Sequence, residues 1–422
     1  MNRISELSAA IAKHTATIDG YFTSNGLPTP SLEADALWNL PIPDGATDIK
    51  QARVAVIEAC SELRDLMTGP KELLKFEWTA YVSVKVILRF RLDQSFPVGE
   101  STTFEAMSQY SGLSAKQVRR FVKHAILNHR LFQEKSPGVI THSALTAVLA
   151  SEEIARNAFV VQLDEFWPAG IRVADALEKW PGSEENNETG FSLVNNSSKS
   201  LYDILAADPV RNARFGMLFN RPDEPLDLII ENYPWQDFNS VVDVGGSHGA
   251  VAIAIAEKFP HMKCIVQDLP ETVKEGAARL PVKLEDRVEF MVQDFFTPQR
   301  ITADVYYLRS ILHNWSDKYC IKILQNLVPA LKNGSRIIIH ERVLPDVDQL
   351  AGVDAKPAIN LDIGMLQLLN AQQREMHEWP ALLQRADHRF QFLGAKKPDG
   401  AIRWICEAVW IEGDERRGFP AQ

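Results

Sequence analysis

The sequence predicts an α/β protein in which a doubly wound parallel sheet follows an α-helical region with a winged-helix pattern. From residue 239 onward, short β-branched runs alternate with helical stretches, which is typical of a parallel sheet with helices on both faces. Before residue 150, apolar residues recur at helical spacing, and a helix-turn-helix pattern precedes two short strands. A chain of 422 residues is also too long for one ordinary core. We therefore expect separate helical and sheet domains.

The N-terminal 150 residues carry the helical signals. Helices are expected over residues 3–22, 48–67, 80–92 and 115–127, and the two strands of a wing over residues 131–134 and 138–140. Gly112 makes the turn between the two helices of the helix-turn-helix pattern, and Ser114 can cap the second of them. We expect residues 1–150 to form a helical and winged-helix dimerisation domain.

Two functions are open for this winged-helix pattern. Its second helix carries four basic residues that could contact DNA, Lys116, Arg119, Arg120 and Lys123. The same residues could instead form a solvated face on a domain used for pairing. The formal net charge of −10 favours pairing and argues against nucleic acid as a partner, because phosphate contacts require a basic surface.

The rest of the chain is expected to form a helical linker region, residues 151–235, and a sheet domain, residues 236–422. The predicted strands of the sheet cover residues 240–244, 263–267, 288–292, 304–308, 336–340 and 402–409. In such sheets ligands bind at the carboxyl ends of the strands. The residues that follow each strand are therefore the first place to look for a site.

A glycine turn joins the first strand of the sheet to a helix. Gly245, Gly246 and Gly249 follow an apolar strand and precede the helical stretch that begins at Ala250. Glycine is required where backbone turns tightly and approaches a ligand closely. The spacing Gly-Gly-x-x-Gly differs from the dinucleotide pattern G-x-G-x-x-G. The turn therefore favours an adenosyl ligand without a pyrophosphate, although a simple tight connection would show the same glycines.

Aspartates at successive strand ends strengthen the interpretation of an adenosyl site. Asp268 ends the next strand about twenty residues on, where a carboxylate can accept both ribose hydroxyls. Asp294 follows the third strand and could accept from an adenine amino group while Phe295 packs on the ring. Asp243 is a charge within an apolar strand, and such a residue needs a partner. Together they predict S-adenosylmethionine as the cofactor of a Rossmann-like domain.

Composition excludes several other classes of protein. No apolar run approaches the roughly 20 residues that cross a bilayer, and the N-terminus lacks the pattern of a signal peptide. The four cysteines, Cys60, Cys264, Cys320 and Cys406, are far apart and have no ligand spacing with histidine. We expect a cytoplasmic protein with free thiols, no metal site and no membrane partner.

Six motifs in order resemble the caffeate/flavonoid-type O-methyltransferases, especially their relatives in fungal secondary metabolism. The similarity runs from about residue 80 to 410. Its motifs are VDVGGSHG (242–249), QDLP (267–270), QDFF (293–296), LRSILHNWSD (308–317), HERVLP (340–345) and LDIGMLQLLNAQQREMHEW (361–379). The resemblance implies S-adenosylmethionine as methyl donor, a small aromatic or polyketide-like acceptor, and a homodimer in which the N-terminal helices of one subunit help to close the pocket of the other.

The resemblance also implies roles for individual residues. The cofactor would be bound by Gly245, Gly246, Asp268, Leu269, Asp294, Phe295 and Arg309, to which the sequence pattern itself adds Gly249 and Asp243. His313 would be the catalytic base, with Glu341 as a flanking acid able to bond to the imidazole, and Gln373 where the family commonly has a second acid. The acceptor would contact Met365, Leu369 and Asn370. Apart from the resemblance, Trp315 could be a pocket wall or a packing residue, and Phe166 and Trp167 could reach the acceptor from the preceding helical region.

Three functions remain open from the sequence. The first is an O-methyltransferase acting on a phenol or enol, in which His313 removes the hydroxyl proton. The second is a dehydratase or pericyclase that binds S-adenosylmethionine without transferring the methyl group, which the neutral Gln373 leaves open. The third is a winged-helix regulator that senses a small ligand, which the acidic balance and the complete cofactor edge disfavour.

Overall fold

The computed structural model describes residues 2–43, 45–75, 77–217, 224–345 and 355–413. The α-helices are α1 (Arg3–Ser24), α2 (Thr47–Thr68), α3 (Pro70–Leu73), α4 (Val82–Arg89), α5 (Phe104–Ser111), α6 (Ala115–His129), α7 (Ala144–Ser151), α8 (Glu153–Val161), α9 (Trp167–Ile171), α10 (Val173–Lys179), α11 (Gly190–Val194), α12 (Leu201–Ala206), α13 (Pro209–Gly216), α14 (Asp227–Asn232), α15 (Ala250–Lys258), α16 (Pro270–Ala278), α17 (Asp317–Leu327), α18 (Ala355–Leu369) and α19 (Glu378–Ala386). The strands are β1 (Ser101–Thr102), β2 (Gln133–Ser136), β3 (Val139–Thr141), β4 (Ser240–Val244), β5 (Lys263–Asp268), β6 (Val288–Val292), β7 (Val305–Arg309), β8 (Arg336–Glu341), β9 (Val343–Leu344), β10 (Arg374–Glu375), β11 (Phe390–Lys396) and β12 (Trp404–Trp410).

The chain divides into two compact units. One unit comprises Met1–Trp167 with Asp208–Asn220, and the other comprises Pro168–Ala207 with Arg221–Gln422. The helical stretch that the sequence predicts over residues 151–235 is thus shared between the units. The assignment of three functional domains stays a prediction.

The first unit contains the helix-turn-helix and wing elements where the sequence predicts them. Helices α5 and α6 pack together, and Ser114 caps α6 in a capping box with Gln117. The hairpin of β2 and β3 takes β1 as a third antiparallel strand. On α6, Lys123 pairs with Glu134 at 3.2 Å, and Arg119 lies over the ring of Phe104. Half of the basic residues that could contact DNA therefore have partners within the unit.

The second unit is built on a seven-stranded sheet with the order β11-β12-β8-β7-β4-β5-β6. Strands β4 to β8 are parallel, while β12 and β11 run antiparallel at one end. Alternate residues of the central strands enter two separate cores, Val242 and Tyr306 on one face, Val241 and Tyr307 on the other. Burial on both faces explains why these strands are almost continuously apolar. The predicted doubly wound α/β fold is confirmed.

Two negative findings apply to the described ranges. None of their helices combines the length and the apolar character needed to cross a membrane. Nor do these ranges hold a group of three or more His, Cys, Asp or Glu side chains that could bind a metal ion.

Candidate functional site

The strand order of the sheet reverses between β4 and β7. From β4 the chain continues on one side through β5 to β6, and on the other side β7 leads to β8. Such a switch point leaves a crevice outside the carboxyl ends of the two strands, where ligands of open α/β sheets bind. The glycine turn follows β4 here, and the segment that carries His313 follows β7.

The glycine turn is packed so tightly that it excludes side chains. Gly245 has a φ of 69°, and a Cβ added there would lie 2.6 Å from Cδ1 of Ile311. A Cβ on Gly246 would lie 2.5 Å from Cγ of Asp243. The backbone N–H groups of both glycines donate to the carbonyl of Gln267, at 2.8 and 3.1 Å. The turn is therefore fixed against β5 below and the β7 segment beside it.

Gly249 stands at the start of α15. Its φ is 75°, and a Cβ there would lie 2.8 Å from Cζ of Phe290. Without a side chain the helix can begin close to the sheet, so its free N–H groups face the crevice edge.

Asp268 at the end of β5 holds the far side of the turn. Its Oδ2 accepts from the backbone N–H of Ser247 at 2.9 Å, and its Oδ1 accepts from that of Leu269 at 2.8 Å. Each carboxylate oxygen keeps a second lone pair, because an ionised aspartate offers about four acceptor sites. The side chain of Leu269 is exposed at the same edge.

The next strand places an acid and an aromatic ring beside the turn. Asp294 is exposed, and its Oδ1 accepts from the backbone N–H of Phe296 at 2.9 Å. The ring of Phe295 is 3.7 Å from the position a Cβ of Gly245 would take. Phe295 also packs edge-on against Trp315, with 5.9 Å between ring centroids. Trp315 thus belongs to an aromatic cluster that borders the crevice.

Asp243 is buried directly beneath the turn. It is 4% exposed, and no hydrogen bond from the described residues reaches its carboxyl group. Burial raises the pKa of Asp243 to about 7, against the lowering effect of the Arg309 charge. Arg309 itself ends β7 and lies 3.8 Å from Glu224. The partner that the sequence led us to expect for Asp243, a backbone or a ligand N–H, is thus not a backbone group of the described residues.

His313 lies in a short 3₁₀ helix, Leu312–Asn314, after β7. Its Nδ1 is 2.7 Å from Nε2 of Gln373, whose side chain is buried. Burial is the largest influence on the pKa of His313 and lowers it; the charge of Glu341 raises it, and the charges of Arg403 and Arg342 lower it. The imidazole is therefore neutral near pH 7 and held at one nitrogen by an amide.

Glu341 does not bond to the imidazole as the sequence interpretation expected. Its Oε1 accepts from the backbone N–H groups of Leu312 and His313, at 2.9 and 3.3 Å. These are free donors at the start of a 3₁₀ turn, and a carboxylate satisfies them well. Its Oε2 has no hydrogen-bond partner in the described part of the chain. Glu341 therefore fixes the backbone that carries His313, and Gln373 holds the ring.

Sequence reasoning missed two residues that hold this segment. Arg374 is 1% exposed and donates to the carbonyls of Leu312 and Trp315, both at 3.1 Å. Asp362 on α18 accepts from the backbone N–H of Gln373 at 2.8 Å. Both lie in the motif that carries Gln373. The charge of Asp362 among apolar residues was an available signal, whereas Arg374 lies in a polar stretch that gave none.

A buried polar network beside the site was also missed. Glu224 accepts from the Arg403 guanidinium at 3.0 Å, and Arg403 donates to Oγ of Ser310 at 2.9 Å. The hydroxyl of Tyr307 lies 2.6 Å from Nδ1 of His340. These groups lie far apart in the sequence, so no local pattern predicts their contacts.

Three of the expected acceptor residues lie on or just after α18. Met365 and Leu369 are buried. Asn370 follows the helix in the left-handed region, with a φ of 53°, and donates to the carbonyls of Ser183 and Glu185 at 2.7 and 3.3 Å. The amide of Asn370 is thus committed to a loop.

The two remaining expected acceptor residues belong to the first unit. Phe166 ends a π-helical turn, Gln162–Phe166, and Trp167 packs on the core of that unit. Both side chains are half-buried, and their contact with an acceptor stays a prediction.

The sequence has clear relatives among characterised families. Residues 183–389 match the sequence model of the O-methyltransferase domain. O-methyltransferase AMT9 of Alternaria alternata is 35% identical over 97% of this chain and 98% of its own length. The grayanic acid biosynthesis cluster O-methyltransferase of Cladonia grayi is 36% identical over 97% of this chain and 88% of its own.

Solved structures share the fold. The crystal structure of OxaC covers 96% of this chain and 100% of its own, with a TM-score of 0.75 and 20% identity. A structure described as a pericyclic reaction enzyme covers the same shares, with a TM-score of 0.71 and 21% identity. The length and identity of the sequence matches confirm the resemblance and the expected cofactor: the chain belongs to the S-adenosylmethionine-dependent O-methyltransferase family of fungal secondary-metabolite enzymes.

Proposed function

We propose that this enzyme methylates a phenol or enol hydroxyl of an aromatic or polyketide-like small molecule, with His313 as the general base. The observation that carries the proposal is the contact between the glycine turn and the β7 segment, in which Ile311 lies against Gly245. His313 is two residues from that contact. A base in this position is within reach of a hydroxyl placed beside the methyl donor.

The residues around the turn fit S-adenosylmethionine. Gly245 and Gly246 leave a cradle that a Cβ would fill, and Asp268 has lone pairs left for ribose hydroxyls. Phe295 offers a ring face, and the buried carboxyl of Asp243 offers a partner for positive charge. Leu269, Asp294, Gly249 and Arg309 complete the proposed cofactor site.

The protein supplies placement and proton removal. When bound, S-adenosylmethionine supplies a methyl group on a positively charged sulfur, which keeps the bonding electron pair as the methyl passes to the acceptor oxygen. The hydroxyl proton goes to the neutral imidazole of His313, an assistance typically worth about 10²–10⁴-fold. Gln373 orients the ring, and Glu341 with Arg374 fixes the backbone that carries it.

The acceptor pocket is proposed to involve α18 and the aromatic cluster. Met365, Leu369 and Trp315 are its apolar residues in the second unit. Asn370 would act by joining α18 to the loop that contains Ser183 and Glu185 rather than by bonding to the acceptor. Phe166 and Trp167 are proposed as further acceptor contacts.

A second function is favoured by one specific observation. The group on Nδ1 of His313 is an amide, not a carboxylate. A neutral imidazole held in this way could polarise a carbonyl while the cofactor provides fixed positive charge. The enzyme would then promote dehydration or ring closure without methyl transfer.

We also propose that the enzyme is a homodimer through its N-terminal helices. Leu74 and Trp78 are 85% and 74% exposed, and Met67 at the end of α2 is 60% exposed. Large apolar side chains exposed within one short stretch of the chain indicate an interaction surface. Twofold homodimers are the commonest assemblies. The buried face of α4, by contrast, packs in the core of its own unit.

Replacing Asp268 by alanine is expected to weaken S-adenosylmethionine binding by about 5- to 150-fold, because two ribose hydroxyls and the N–H of Ser247 lose their acceptor. Isothermal calorimetry measures this directly. The matched control is D286A, which removes an exposed aspartate. Equal affinities of wild type and D268A would exclude Asp268 from the cofactor site.

D243N is expected to stabilise the cofactor-free enzyme at high pH. The pKa of Asp243 is about 7 in the folded protein and near 3.9 in an unfolded chain. The difference between these two pKa values stabilises the folded protein fully below about pH 4, and this stabilisation is lost as pH rises to 7. The advantage of D243N should therefore grow over that range and stay constant above it, at about 1–4 kcal/mol. Urea unfolding between pH 4 and pH 8 tests this, and an advantage independent of pH would contradict it.

H313A is expected to lower turnover by about 10²-fold or more with little change in cofactor affinity, because the histidine acts in the transition state. The assay follows S-adenosylhomocysteine and product mass for a phenolic acceptor that wild type converts, because a phenol must lose its proton in the site. H388A, which alters an exposed histidine, is the control.

Two results would count against this part of the proposal. An H313A enzyme as fast as wild type would place the base elsewhere. An isomer or dehydrated product formed without S-adenosylhomocysteine would favour the second function.

The double variant L74E/W78E is expected to convert a dimer into a folded monomer, because two carboxylates replace the most exposed apolar side chains of this surface. Light scattering of dilute samples measures the mass. V282E, at an equally exposed site in the second unit, should stay dimeric. A monomeric wild type, or a double variant that remains a dimer, would refute this interface.

A further inference from the structure

Gln373 is held through both its side chain and its backbone. Its amide lies 2.7 Å from Nδ1 of His313, and its backbone N–H donates to Asp362 at 2.8 Å. The next residue, Arg374, donates to the carbonyl of Leu312, which precedes His313. Gln373 is 2% exposed, so it has little freedom to move away from the imidazole.

An amide supports the imidazole differently from a carboxylate. A carboxylate only accepts, so it requires a proton on Nδ1 and gains strength when the ring becomes charged. The amide of Gln373 can face Nδ1 with its N–H or its carbonyl, and its Oε1 has no other partner among the described residues. It therefore contacts the ring without adding negative charge, beside the backbone hydrogen bond that the ring makes with Ser310.

The other charges near His313 do not replace that missing carboxylate. Glu341 is the carboxylate whose charge raises the pKa of His313, but its Oε1 is engaged by two backbone N–H groups. Arg403 and Arg342 both act in the opposite direction, and so does burial. The result is a weak base at the acceptor end of the site.

A weak base limits which hydroxyls can be deprotonated. A simple phenol has a pKa near 10, more than three units above the reference value of about 6.5 for histidine. An enol conjugated with a carbonyl, as in a vinylogous acid, ionises in the range of a carboxylic acid, at about 4–5. Proton transfer from a phenol to His313 is uphill, whereas an enol of this acidity is largely ionised at neutral pH and needs no strong base.

We propose that the acceptor is an acidic enol rather than an ordinary phenol, and that Gln373 is the positioning residue that sets this preference by holding His313 without charging it. This inference rests on the proposed methyl transfer and narrows its substrate class. The acidic enol reaches the site already ionised or loses its proton easily to His313. A carboxylate at position 373 would strengthen the base and add negative charge beside an anionic acceptor.

The test compares two small probes of similar ring size in wild type, Q373E and Q373M. The acidic probe is 4-hydroxy-6-methyl-2-pyrone and the phenolic probe is 3,5-dihydroxytoluene. Rates are measured as kcat/KM against pH with saturating S-adenosylmethionine. The titration of His313 is followed by ¹⁵N NMR of labelled histidines and assigned with H313A. Q391E, at a half-exposed glutamine of β11, gives the same change in net charge away from the site.

Wild type should have a higher kcat/KM with the pyrone than with the phenol. Its kcat/KM with the pyrone should not rise as pH approaches the pKa of a phenol, near 10. Q373E should raise the pKa of His313 by about one unit and the rate with the phenol by about tenfold, with the pyrone rate unchanged or lower. Q373M should slow both probes without changing their ratio, since it removes the contact and adds no charge. Q391E should match wild type.

Four results would overturn the inference: equal wild-type rates with both probes, a rise in the phenol-to-pyrone ratio in Q373M, the same ratio in Q373E as in Q391E, or a His313 titration that is unchanged in Q373E. Should wild type methylate neither probe nor any acceptor in the wider panel, the proposed function fails. The NMR titration still decides whether position 373 sets the basicity of His313. Should Q373E not fold, Q373M and the wild-type ratio carry the decision.

Discussion

The close packing of the glycine turn after β4 against the segment after β7 is the constraint on which the site depends. Gly245 and Gly246 have no room for a Cβ, because Ile311 and Asp243 already occupy that space. The side chain of Ile311 thereby packs directly on the glycine backbone, with no second side chain from the turn between them. The turn proposed to hold the cofactor and the segment that carries His313 can therefore lie side by side. A larger residue in the turn would separate the glycine turn from the β7 segment.

Backbone hydrogen bonds then make the position of His313 independent of its own side chain. Glu341 accepts from the amides of Leu312 and His313, and Arg374 donates to two carbonyls of the same segment. Both charged groups are buried, so breaking either would leave an uncompensated charge in the core. The segment is held at both its donors and its acceptors. Geometry of this kind lets the imidazole be tuned separately, through the contact with Gln373.

Sequence patterns predicted the fold well, because the parallel strands are buried on both faces and read as apolar runs. Strands β4 and β6 begin and end where the sequence predicts, whereas β11 was not predicted. Because these apolar runs define the strand ends, the glycine and acidic residues that follow them located the crevice. The partner of the imidazole could not be deduced, since Glu341 and Gln373 both lie near His313 and only coordinates distinguish a backbone contact from a ring contact. The network around Glu224 joins segments that no local pattern connects.

Charge is distributed unevenly between the two ends of the site. At the cofactor end, Asp243 keeps a carboxyl group buried at a cost in stability, with burial raising its pKa to about 7. A positively charged ligand would favour its ionised form and recover part of that cost. At the acceptor end, Gln373 supplies an amide where a second carboxylate would repel an anion. The proposed site thus combines a carboxyl group that a cation would ionise at the cofactor end with a neutral amide at the acceptor end, an arrangement suited to bringing a cation and an anion together.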